Sequence, residues 1–184
     1  MAINFPPPRR DPRSDPWHQL DAMARAAFPV AATVLGLLAL AVPLGLPEQA
    51  ALAPAFLFAS VYFWSLFRPA AMTPALVFAL GLFADLLGGG PLGLDVLLLL
   101  LLCALTRCWR RKLARWSFLL VWLVFSGFAA AGAALSFALT ALFSLTLLPP
   151  APALVEAGLA IGFYPLLAVL FTRAHRSLAA DAEI

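Results

Sequence analysis

The sequence predicts an all-α membrane protein: six transmembrane helices with both termini in the cytoplasm. Three observations predict it. Hydrophobic residues make up 64% of the 184 and charged residues only 11%, against about half and about a quarter in soluble domains; mean hydropathy is +0.96. A soluble domain of this size leaves roughly a third of its unfolded surface exposed, too much for so many consecutive apolar runs. The apolar residues fall into six segments, each approaching the ~20 residues that cross a bilayer. Finally, every Lys and Arg lies in a break that a six-crossing path places on one side.

Taken in order, residues 1–25 mix Pro6-Pro7-Pro8 with Arg9, Arg10, Asp11, Arg13 and Asp15. Such a stretch cannot bury enough apolar area to order itself, so a disordered cytoplasmic tail is expected. The first span is 26–44. Ala51-Leu52-Ala53 resembles a cleavage site, but the run before it is longer than a signal-peptide core, so a retained helix is expected. Spans 51–67, 71–87 and 92–108 are short and need an upright helix or a thinned bilayer. The fifth, 116–148, is too long for an upright crossing, yet Gly127 and Gly132 supply no polar turn to divide it. It is expected to tilt or project. Span 153–172 closes a transmembrane domain over 26–173, and 174–184 is a second cytoplasmic tail.

Charge placement sets the count. Arg9, Arg10, Arg13 and Arg25 precede the first span, Arg68 separates the second and third, and Arg173 and Arg176 follow the sixth. A basic loop of Arg107, Arg110, Arg111, Lys112 and Arg115 joins the fourth and fifth. With six crossings all of them face the cytoplasm; a fifth segment crossing twice would put Arg173 and Arg176 outside. Trp109 and Trp116 flank the loop at the level where indoles prefer to sit. The pI of about 9.4 does not signal nucleic acid, because the cations form short clusters between apolar runs. The loop suits the anionic lipid of the bilayer or a cytoplasmic partner.

Catalytic chemistry is not evident. His18 and His175 lie in the tails, so no histidine stands within a span, and no zinc-protease, nucleophile-elbow or phosphate-loop motif occurs. Cys103 and Cys108 have no partners at metal spacing and read as free thiols. No enzyme, cofactor or metal site is expected.

One stretch organises the rest: Gly81 to Gly93, where an apolar segment gains Asp85 and then breaks at Gly88-Gly89-Gly90-Pro91. Glycine and proline end the helix there. A carboxylate this deep needs a partner. Either Asp85 accepts hydrogen bonds from backbone donors of the turn, or it faces a cavity or a partner helix. Asp95, in the first turn of the fourth helix, and Glu156, near the start of the sixth, are expected to be solvated or capping. Gly158 and Gly162 form a G-x-x-x-G that permits close helix contact, within the bundle or with a partner, and Pro165 is expected to bend the helix after it.

At Asp85-Leu86-x-x-Gly89-x-x-Leu92-Gly93, with Gly81 before and Leu97 after, the chain resembles the rod shape-determining membrane protein family MreD. Pro54 ahead of Tyr62-Phe63-Trp64, the basic break after the fourth span and Pro165 add to a resemblance covering about 26–175. Family members often carry Arg-Pro before the second span; here Ala53 precedes Pro54, so an outer-face salt bridge does not carry over. The resemblance implies a non-enzymatic, multi-pass subunit of the cell-elongation machinery in the bacterial plasma membrane. It implies an MreC-like membrane-anchored partner and, through it, MreB filaments, a SEDS-family glycosyltransferase and a class B penicillin-binding transpeptidase of peptidoglycan synthesis. The family is also similar to the six-helix substrate-binding subunits of energy-coupling-factor vitamin transporters. A transporter subunit holding a small ligand near Asp85 is therefore the alternative expectation.

Overall fold

Proline, glycine and short polar breaks divide the apolar chain into six helices: α1 Pro16–Ala41, α2 Gln49–Phe67, α3 Pro74–Gly88, α4 Leu94–Leu113, α5 Phe118–Ser144 and α6 Ala151–Ala180. The computed structural model describes residues 16–41, 49–88, 91–144 and 149–180, and no strand occurs among them. Helix is the economical form for these Leu- and Ala-rich stretches, since it satisfies every interior backbone group without water.

Three boundaries differ from expectation. α1 begins at Pro16, so part of the stretch expected to be disordered is helical; proline fits a first helical turn, whose N–H has no partner anyway. Residues 1–15 lie outside the described residues. α4 continues through Arg107, Arg110, Arg111 and Lys112, leaving only Arg115 of the expected basic loop outside helix. Arg and Lys are good helix formers, and cations in a last turn oppose the helix dipole favourably. α6 runs past Pro165 to Ala180, so the second tail starts as helix. α5 is one uninterrupted helix of 27 residues, about 40 Å long, and the fifth segment does not double back.

Phe118–Phe143 and Ala151–Phe171 are long and apolar enough to cross a membrane, while the apolar parts of α1 to α3, Ala27–Leu40, Ala51–Phe67 and Pro74–Gly88, are shorter.

α2 is the central helix, packed against α1, α3, α4 and α6. Ala55, Leu57, Ala59, Val61, Tyr62, Trp64 and Leu66 are all essentially inaccessible, so α2 is apolar all round because it is covered all round. Two aromatic groups tie it to its neighbours. Tyr62 packs on Phe125 of α5 and Tyr164 of α6, with centroids 4.9 and 5.5 Å away. Phe63 and Trp64 both pack on Phe171 of α6, at 5.3 and 4.7 Å. Each such pair contributes about 0.5–1.5 kcal/mol beyond its buried area.

Cross-helix hydrogen bonds add register. The Tyr62 hydroxyl donates to the Val121 carbonyl at 3.2 Å, the Trp122 indole donates to the Ile161 carbonyl at 3.0 Å, and the Ser65 hydroxyl donates to the Cys103 sulfur at 3.6 Å. Helices α2, α4 and α6 run in one direction and the others against them. One end of the bundle therefore collects Pro54, Asp95 and Glu156, and the other collects Arg68, Leu113 and Phe171. These are the acidic and the basic end of the bundle.

Candidate functional site

The corner between α3 and α4 starts with a close approach. A Cβ added at Gly81 would sit 2.6 Å from the Val96 Cα, so α3 meets α4 backbone to backbone and only glycine fits. The chain then turns, and Gly93 enters α4 with φ 94° and ψ −6°, a left-handed conformation that costs other residues about 1–2 kcal/mol. Gly93 has no side chain to cap the helix it precedes. Asp85 supplies the cap across the turn: one carboxylate oxygen accepts from the Gly93 N–H at 2.8 Å and the other from the Asp95 N–H at 3.0 Å. The carboxylate is 4% exposed, and its charge sits where the α4 dipole favours it. Of the two readings of Asp85, the turn-fixing one matches these bonds. Leu86 and Leu92 flank the corner and stay exposed; Gly89 lies outside the described residues.

Asp95 and Glu156 correct an expectation. Neither is freely solvated: both are partly buried, and with Pro54 they line one small cavity between α2, α4 and α6. A second cavity lies beside Glu156, against Ala129 and Ala160. Each has a volume of about 10 Å³, room for about one water. Sequence could not show which face of α6 Glu156 occupies, because small apolar residues surround it on every side.

At the basic end two cations are spent on structure. Arg110 donates from Nε to the Leu66 carbonyl at 2.9 Å, and Arg107 donates from Nη2 to the Pro69 carbonyl at 2.6 Å. They satisfy one carbonyl in the last turn of α2, which helix geometry leaves open, and one in the turn after it. Arg111, Lys112 and Arg115 remain exposed.

The G-x-x-x-G of α6 does not pack within the bundle. A Cβ at Gly158 or Gly162 would meet nothing within 4 Å. Leu154, Gly158, Gly162 and Leu166, four residues apart in turn, are all exposed. They form one ridge along α6, with the glycines a notch between two leucines.

A family model for the rod shape-determining protein MreD matches residues 23–174. The chain belongs to the MreD family. It is therefore a membrane component of rod-shape determination, in a family not known for catalysis. Neither a curated protein nor a solved structure matches the chain.

Seen on the fold, the residues that carry the MreD resemblance divide by job. Gly81, Asp85 and Gly93 build the corner, Pro54 lines the acidic cavity, Tyr62 and Trp64 fill the core, and Leu86 and Leu92 stay on the surface. Cys103 is buried and Cys108 exposed, both as free thiols. No group of three or more His, Cys, Asp and Glu is gathered among the described residues.

Proposed function

We propose that this MreD-family chain is a non-enzymatic scaffold of the peptidoglycan-synthesis complex that elongates rod-shaped cells, and that it grips the transmembrane helix of an MreC-like partner. The observation that carries this reading is the α6 ridge, where Gly158 and Gly162 are open and Leu154 and Leu166 are 68% and 63% exposed. In a bilayer, helices associate through close backbone packing at small residues. A glycine notch left empty by its own bundle suits a helix from outside.

Through that partner the protein bears on MreB filaments, a SEDS glycosyltransferase and a class B penicillin-binding transpeptidase. It lies in the bacterial plasma membrane, its six helices crossing with the basic end and both termini in the cytoplasm. Asp85 holds the corner in shape and takes no part in chemistry.

The transporter reading has less support. A vitamin-sized ligand needs roughly 300–1,000 Å³, whereas the two cavities that Glu156 lines have about 10 Å³ each. Depletion in a rod-shaped host tests the scaffold: cells are expected to round up and to recover when the chain is resupplied. Rods that persist after complete depletion would reject it.

A further inference from the structure

A cavity far larger than those beside Glu156 lies at the basic end, away from the corner and the α6 notch. It has a volume of about 500 Å³ and opens between α2, α6 and the α4–α5 turn. Its wall is aromatic, with Phe63, Trp64, Tyr164 and Phe171 among the lining side chains. Arg68 is the one cation among the described lining residues, and Arg115 stands between Ala114 and Trp116, which both line the cavity.

The chemistry of this cavity divides along its length. The interior offers almost nothing to a polar metabolite, which requires several convergent polar groups. The mouth carries the positive charge. Trp109 and Trp116, 49% and 41% exposed, mark this end as the headgroup level, where indole rings concentrate. Basic pockets between transmembrane helices bind anionic lipid headgroups. We infer that the cavity holds an acyl chain of one anionic phospholipid, with its phosphate on Arg68. This site is independent of the partner notch on α6 and of which face of the membrane the basic end occupies.

The test uses the full chain in nanodiscs holding equal phosphatidylglycerol and phosphatidylcholine. Lipids retained after gentle release are counted by native mass spectrometry. Phosphatidylglycerol is expected to be enriched about fivefold, the advantage of one cation at a membrane surface. Arg68→Gln is expected to abolish the enrichment, Arg68→Lys to keep it, and Arg111→Gln, exposed and outside the lining, to leave it unchanged. Ala114→Trp, which fills the mouth, is expected to lower the retained lipid of both kinds, and it decides the matter if Arg68→Gln does not fold. Equal retention of the two lipids, enrichment indifferent to Arg68→Gln and Ala114→Trp, or a protein segment found in place of lipid would overturn the inference.

Discussion

Asp85 and Gly93 are joined by a 2.8 Å hydrogen bond from the Gly93 N–H to the Asp85 carboxylate, which fixes the end of one helix to the start of the next. The second carboxylate oxygen accepts from Asp95 at 3.0 Å, so the two oxygens have separate tasks. Asp85→Asn leaves one acceptor and turns the amide donors toward the other N–H. A loss of about 1–3 kcal/mol is expected, read as a lower midpoint of thermal unfolding in detergent. Gly93→Ala is expected to cost about 1–2 kcal/mol through its left-handed backbone alone. An unchanged midpoint for both variants would show that the cap is dispensable.

Glycines of this chain are predicted to differ sharply. Gly81→Ala places a methyl against the Val96 backbone and is expected to cost about 1–3 kcal/mol, as overpacking does. Gly158→Ala and Gly162→Ala meet open space and are expected to shift stability by less than about 0.5 kcal/mol. The same thermal measurement on the three variants ranks them; a tie would contradict the close approach of α3 and α4.

Two buried hydroxyls on α2 are expected to respond in opposite ways. The Tyr62 hydroxyl donates to the Val121 carbonyl, and Tyr62→Phe is expected to cost about 0.5–1.5 kcal/mol. The Ser60 hydroxyl is buried with no partner, so Ser60→Ala is expected to be neutral or stabilising. Chemical unfolding of the two variants in the same detergent checks the signs.

Much of this was legible beforehand. The apolar runs, their breaks and the free thiols could be read because each depends on local composition. Asp85 could be paired with the glycine turn because a buried acid beside a helix break has few other donors within reach. What escaped was facing. Asp95 and Glu156 sit in helix starts that look solvent-accessible, yet they turn toward α2 and its small cavity. The spacing of Gly158 and Gly162 shows that a backbone can come close, but not whose; the answer depends on where α2 and α5 leave α6 uncovered. The basic cluster reads as a loop because charges between two apolar runs look like a break. Yet Arg107 and Arg110 stay helical, and from there they reach carbonyls of α2 and the turn after it.

The placement of the basic end is open to direct labelling. Cys108 is exposed and is first replaced by alanine. Cysteines introduced singly as Lys112→Cys and Ser177→Cys are then expected to react with an impermeant maleimide from the same, cytoplasmic, face. Reaction from opposite faces would rule out six crossings.

The central claim is that an open notch on α6 receives a partner's helix. The direct measurement is co-purification of the MreC-like protein from native membranes with the unaltered chain and with Gly158→Leu/Gly162→Leu, each checked for folding by its thermal midpoint. The account predicts that the unaltered chain brings the partner with it and that the folded double variant loses it. A folded double variant that retains the partner in full, or an unaltered chain that never captures it, would contradict the account.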